Sequence, residues 1–239
     1  MNTGELLAEL RENVLRDVTD SVNVDPESQL WDDSSLVRYL NDAQVRFAVA
    51  TLCFRDETTP AITRIAMVAG VDAYTLDPRV IALYGARLDR THLSRTTYAA
   101  MYSNRGDLST GGPITDYSQQ GQPRQFYTDR ETGKIGVYPA PDATTGGQQL
   151  ILRVARRPVL NLTPSNLDMV PELPEEFHLD LVEWAAYRAL RNHDVDGENM
   201  AKANSHKKRF EDTVLELQRK AKRTLAQDIQ FDLRANWGN

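Results

Sequence analysis

The chain has 239 residues, 41% apolar and 26% charged, with a formal net charge of −6. These totals fit one large or two small soluble domains with a sizeable core, and they disfavour a dedicated nucleic-acid binder while leaving room for a local basic patch. A single cysteine, Cys53, excludes an intramolecular disulfide framework and suits a reducing compartment.

The acidic, amphipathic start MNTGELLAELRENV is no secretory signal. Leu6, Leu7, Leu10, Val14 and Val18 recur at three- and four-residue steps and predict a helix over about 4–21. Val22 to Trp31 reads as a linker. Asp32, Asp33, Ser34 and Ser35 supply N-cap candidates for a second helix. Its inner face would carry Leu36, Leu40, Ala43, Phe47 and Ala50, and it would end near Phe54. Thr58-Thr59-Pro60 would close it, because the residue before proline is pushed out of the helical region.

The pattern then changes to short strands. Ile62–Ala69 and Tyr74–Leu76 are strand candidates around Gly70-Val71-Asp72. Arg79–Leu88 reads as one strand or a bent pair, and Ser94–Tyr102 as a short helix. Arg105–Pro113, with Gly106, Gly111, Gly112 and Pro113, reads as an exposed loop, and 117–124 as a polar connection. Phe126-Tyr127 and Ile135–Tyr138 flank Glu131-Thr132-Gly133, forming a hairpin stopped by Pro139 and Pro141. Gln148–Arg157 is a further strand, with Leu150, Leu152 and Val154 on one face and Ile151, Arg153 and Ala155 on the other. Pro174 precedes a helix whose inner face carries Leu181, Trp184, Ala185 and Arg188. After a break at Asp194–Gly197, Phe210, Val214, Leu217 and Ala221 mark a last helix over about 198–226, followed by a tail.

Together these readings predict an α+β fold: an antiparallel four-helix bundle with an inserted antiparallel β-sandwich or barrel-like domain and an extended C-terminal tail. The helical domain would comprise 1–58 and 172–226, the β-domain 59–171 and the tail 227–239. No run approaches the about 18 apolar residues that a membrane span needs.

Motifs for chemistry are sparse. His92, His178, His193 and His206 share no metal-ligand spacing. The segment from His193 to Glu198 lacks the twelve-residue calcium pattern and reads as a helix break. Cys53 reads as a buried small residue at the end of the second helix. There is no nucleophile elbow, and Gly111-Gly112 lacks the Lys-Ser/Thr of a phosphate loop. No catalytic residue, metal or cofactor is expected, and an enzyme is the least favoured class. Two features remain. Lys202, Lys207, Lys208 and Arg209 form a basic stretch of the last helix. It reads either as a solvated face or as a contact with a neighbouring copy or a phosphate backbone. Phe231, Leu233, Arg234 and Trp237 give the tail the look of a docking peptide or of an intramolecular wrap.

The run from LWDDSSLVRYLNDAQVRF through AGVDAYTLDPRVIALYGARL and the hairpin ending VYPAP to LPEEFHLDLVEWAAYRAL resembles tailed-bacteriophage head-to-tail adaptor (connector) proteins of podophage type. Trp31, Leu36, Tyr39-Leu40-Asn41 and Ala43 look like their second helix, and Pro174, His178, Leu181 and Trp184-Ala185 like the start of their third. The resemblance implies a structural virion protein of the neck, assembled in the host cytoplasm. It implies a ring, commonly of about twelve copies, between the portal protein and a tail nozzle or other tail component. Double-stranded DNA would pass through the lumen without sequence-specific binding, and no membrane anchor is implied. By position, the tail would reach the portal. The alternative reading is a non-viral binding module, a β-sandwich recognising carbohydrate or peptide on a helical stalk.

Overall fold

The computed structural model describes residues 1–16, 30–103, 119–193 and 197–235, with side chains described at 1–16, 30–100, 119–191 and 199–221. In chain order the elements are α1 (Thr3–Ala8), a π-helical segment (Glu9–Leu15), α2 (Asp33–Thr51), β1 (Arg55–Asp56), α3 (Pro60–Thr63), β2 (Arg64–Ala66), β3 (Ala73–Thr75), β4 (Val80–Leu88), β5 (Thr91–Arg95), α4 (Tyr98–Ser103), β6 (Gln125–Tyr127), β7 (Lys134–Tyr138), β8 (Gln149–Arg156), a 3-10 turn (Glu175–Phe177), α5 (His178–His193) and α6 (Gly197–Ala235). The chain divides into two compact units, Leu52–Arg157 on one side and Met1–Thr51 with Pro158–Asn239 on the other. It is a mixed α+β fold.

In the helical unit, α1 begins in a capping box. Asn2 Oδ1 accepts from the Glu5 amide at 2.8 Å, and Glu5 Oε2 accepts from the Asn2 amide at 2.9 Å. The helix is shorter than its periodicity predicts. From Glu9 the winding widens into the π segment, and Arg16 at φ 53° ends it in the left-handed region. Val18 and most of the predicted linker lie outside the described residues. Arg11 is buried in this wider turn, donating to the Trp31 carbonyl at 2.8 Å and to Asp33 at 2.7 Å.

Asp32 caps α2. Its carboxylate accepts from the Ser34 hydroxyl, and from the Ser35 amide at 2.8 Å, which together hold its pKa at about 2. The predicted face of α2 is the one it buries: Leu36, Leu40, Ala43 and Phe47 are all fully inside. The helix stops at Thr51, short of Phe54, because Leu52 turns left-handed at φ 54°. Cys53 is therefore exposed rather than buried, a correction to its predicted place inside.

α5 runs antiparallel to both neighbours. Phe177 stacks on Phe47 at 5.2 Å while Trp184 reaches Asp42, and Asp180 and Glu183 meet Thr213 and His206 of α6. Ala185, Ala186 and Ala189 let these helices approach closely, and Phe47, Trp184 and Phe210 form the aromatic centre, with ring centroids 5.1–6.1 Å apart. Buried His178 anchors the start of α5: Nε2 donates to the Leu173 carbonyl at 2.9 Å, which leaves Nδ1 to accept from the Met1 amine at 3.0 Å. α6 runs to Ala235 rather than stopping near 226. No glycine or proline lies between Gly197 and Gly238, and Leu225, Ile229 and Leu233 continue the four-residue stripe of Val214, Leu217 and Ala221. The predicted extended tail is thus helix through Ala235.

In the other unit, the strand order is β1-β8-β4-β5-β6-β7-β3, with β2 also paired to β8. The path is open, so the strands make a curled, incomplete antiparallel sheet rather than a closed barrel. One pair breaks the antiparallel rule: β5 and β6 are parallel. Residues 96–124 lie between them, long enough for the crossover that a parallel pair requires. The expected strand over Ile62–Ala69 shrinks to β2, because Pro60 opens a helical turn that tucks Ile62 and Thr63 inside. β4 is a single strand bent by register shifts at 80/82 and 83/85. β5 was not anticipated; Asp89 at φ 50° makes the tight turn that folds it back on β4. The predicted loop at 105–113 lies outside the described residues. The sheet's core gathers Ile62, Met67, Leu88, Phe126, Ile135, Val137, Leu150, Leu152 and Val154. Each such side chain contributes about 1.5–3 kcal/mol by leaving water.

The hairpin of β6 and β7 forms as expected, with Gly133 at φ 74° closing the turn. Two of its aromatic side chains, Phe126 and Tyr127, are core. Phe126 and Tyr127 are each 2% exposed, and the Tyr127 ring lies across Gly136 opposite it.

Candidate functional site

Three surfaces carry the residues singled out by sequence. The first is the seam of α5 and α6. His206, Arg209 and Thr213 sit at three- and four-residue steps of α6 and meet carboxylates of α5. Glu183 Oε2 receives His206 Nδ1 at 2.6 Å, and its Oε1 receives Arg209 at 3.3 Å. Burial pushes the Glu183 carboxyl up, but hydrogen bonds and charge from His206 and Arg209 outweigh it and hold the group below the usual range. Burial raises Asp180 instead, although it accepts from Thr213 Oγ1 at 2.8 Å.

The basic stretch is therefore divided. Arg209 turns to Glu183, and Lys207 lies 3.7 Å from Glu211 and over the Tyr187 ring at 5.8 Å. Lys202 and Lys208 are exposed. Two of the four cations thus have carboxylate partners within the helical unit.

The second surface is the end of α6. Phe231, Leu233 and Arg234 fall within the helix, and Trp237 lies outside the described residues.

The third is the hairpin tip, which is pinned rather than free. Arg130 pairs with Asp72 at 2.9 Å and lies over the Tyr98 ring at 5.3 Å. Asp129 accepts from the Tyr98 amide at 2.8 Å, and Glu131 pairs with Lys134 at 2.5 Å. Tyr138 is half-buried, its hydroxyl donating to Gln119 at 2.7 Å. Burial raises the Tyr127 hydroxyl.

Sequence reasoning passed over a fourth feature. Arg64, Arg87, His92 and Arg153 come together on the open face of the sheet only once β2, β8, β4 and β5 are paired in register. Nothing in the local sequence signals it, because these residues are far apart along the chain. Among the described residues no group of three His, Cys, Asp or Glu side chains is placed to hold a metal ion. No described helix is long and apolar enough to cross a membrane.

The family model for the SU10 adaptor protein matches residues 1–230, and so spans both compact units. The chain belongs to the SU10 adaptor protein family. No curated protein matches it. As a member of the SU10 adaptor family it is a structural head-to-tail connector of bacteriophage, of the kind that joins portal and tail components in the virion neck. Phe231, Leu233, Arg234 and Trp237 all lie beyond the matched residues and take no support from it.

Proposed function

We propose that this SU10-family adaptor works as one subunit of a ring, of about twelve copies, seated between the portal and the tail and extending the DNA channel. The observation that carries this reading is the family match across both the helical and the sheet unit. A ring subunit needs no catalytic centre; it needs rigid surfaces whose heterologous contacts close after a fixed rotation. The rigid parts are present in the aromatic centre of α2, α5 and α6 and in the sheet core.

Within this reading the helical unit meets the portal, and the C-terminal residues Phe231, Leu233, Arg234 and Trp237 dock on it. The hairpin unit serves as a spacer toward the tail nozzle. Lys202, Lys207, Lys208 and Arg209 lie at a subunit interface or close to the DNA, and the duplex slides through without sequence-specific contacts. Negative-stain images of the full chain mixed with its cognate portal test the reading: rings seated on the portal are expected, and absence of any portal binding would refute it.

A further inference from the structure

The sheet unit carries a cationic face that the adaptor role leaves unused. In the antiparallel register, Arg64 pairs with Ile151, Ile151 with Arg87, and Arg87 with His92, so one row crosses four adjacent strands. At strand spacings of about 4.8 Å this row spans about 14 Å. Arg153, two residues along β8 from Ile151, points to the same face, opposite the buried Leu150, Leu152 and Val154. Arg64, His92 and Arg153 are exposed. Glu57 takes Arg87 at 2.6 Å, and Arg64 donates to the Gln149 amide oxygen at 3.3 Å. The groove beside the row has an open floor: a Cβ added at Gly85 would meet nothing within 4 Å, and Tyr84 next to it is 41% exposed.

Arg64, Arg87 and Arg153 lie on three adjacent strands, and Glu57 pairs with Arg87. In a chain of net charge −6, three guanidiniums gathered on one face point to a carboxylate-bearing partner. The helical unit offers such carboxylates. Glu175 has 84% of its side chain exposed and Glu5 60%, and both approach the Met1 amine, at 3.2 and 4.0 Å, so they share one surface with exposed Glu176 beside them.

We propose that the basic sheet face of one copy receives the Glu5–Glu175–Glu176 surface of a second copy. The two patches are different surfaces of one chain, and a pairing repeated in one direction from copy to copy is the heterologous contact that generates rings. The proposal rests on the ring reading above and names the contact that closes it. A face that already holds Glu57 takes the single charges of protein carboxylates more readily than a phosphate backbone with one charge about every 1.7 Å.

The test uses full-length adaptor with cognate portal and counts rings in negative stain. Arg64→Glu with Arg153→Glu, and separately Glu175→Lys with Glu176→Lys, should each lower ring yield by about tenfold or more. The chain carrying all four changes should recover to within about threefold of wild type, because the charges again complement. Unchanged rings in either reversed pair, or no recovery in the combined chain, overturn the proposal while leaving the ring reading intact. Normal rings with weakened duplex retention in a gel shift would assign the face to DNA instead, and also overturn it. A wild-type chain that forms no ring fails the ring reading, and this contact with it. Thermal melts check that each variant folds. Should a reversal unfold the chain, Arg153→Gln replaces it, with an expected loss of about threefold that grows as salt is lowered and an overturning result of no loss at any salt.

Discussion

Replacing Gly136 with alanine tests whether the hairpin is core rather than an exposed platform. A Cβ built there would sit 2.1 Å from Tyr127 Cζ and 2.2 Å from Cε2, where carbon atoms need about 3.5 Å. The ring must therefore move by more than about 1 Å. It has little room, being 2% exposed and packed 5.4 Å from the Tyr98 ring. Gly136 is not in the left-handed region, so the substitution adds steric conflict without backbone strain. Overpacking of this kind costs about 1–3 kcal/mol, and we expect the upper end. Tyr127→Ala alone should cost about 3–5 kcal/mol through the cavity it leaves. In that background Gly136→Ala should become nearly neutral, giving a coupling of at least about 1 kcal/mol. Urea unfolding followed by far-UV circular dichroism measures the totals. Hydrogen exchange of 125–138 localises them, which tryptophan fluorescence cannot do because no tryptophan lies between Leu52 and Arg157. Gly136→Ala within about 0.5 kcal/mol of wild type would refute the packing described here.

Asp56→Asn should destabilise the sheet unit by up to about 3–5 kcal/mol at neutral pH, because its 4%-exposed carboxylate pairs with Arg156 at 2.5 Å, and Arg156 would be left largely buried without it. Burial opposes ionisation of Asp56, but hydrogen bonds from Thr59, Thr58 and Arg156 outweigh it and depress its pKa. A depressed carboxyl stabilises the fold above its unfolded pKa of about 3.9 and loses that contribution as pH falls through the folded value. Thermal melts should therefore show the gap between wild type and Asp56→Asn narrowing as pH drops below about 4; a constant gap would contradict this. Deleting 227–239 should leave the melting midpoint intact while abolishing portal binding in a pull-down, and unchanged binding would remove the docking role. Lys207→Glu, Lys208→Glu and Arg209→Glu together should impair ring assembly more than thermal stability, since on the stability side they remove the Arg209–Glu183 and Lys207–Glu211 pairs and the Lys207–Tyr187 contact and set like charges beside Glu183 and Glu211, local terms of about 0–1 kcal/mol each. Normal rings with an equal thermal loss would show these residues to be merely solvated.

Local signals carried most of the fold. The period of Leu36, Leu40, Ala43 and Phe47, the alternation of β8 and the Gly133 turn each specify their element through short-range physics. What escaped were features decided elsewhere in the chain. The π segment ends at left-handed Arg16, β5 exists because Asp89 adopts positive φ, and the parallel β5–β6 pair depends on a distant return. α6 continues past 226 for a different reason: no glycine or proline breaks the helix before Gly238, so the tail signal of Phe231, Leu233 and Trp237 does not mark a helix end. The candidate surfaces were less legible still. The basic stretch from Lys202 to Arg209 was visible in sequence, but its division by Glu183 and Glu211 was not. The gathering of Arg64, Arg87, His92 and Arg153 on one face is a product of register alone. The adaptor identity came through the order and texture of segments from Trp31 to Leu190, because a structural connector has no compact motif to display.

The most direct test of the adaptor account is an image of the neck assembly: full-length chain mixed with its cognate portal, with rings examined by electron microscopy. The account predicts a closed ring of adaptor subunits coaxial with the portal. A chain that stays unassembled and shows no portal binding would contradict it.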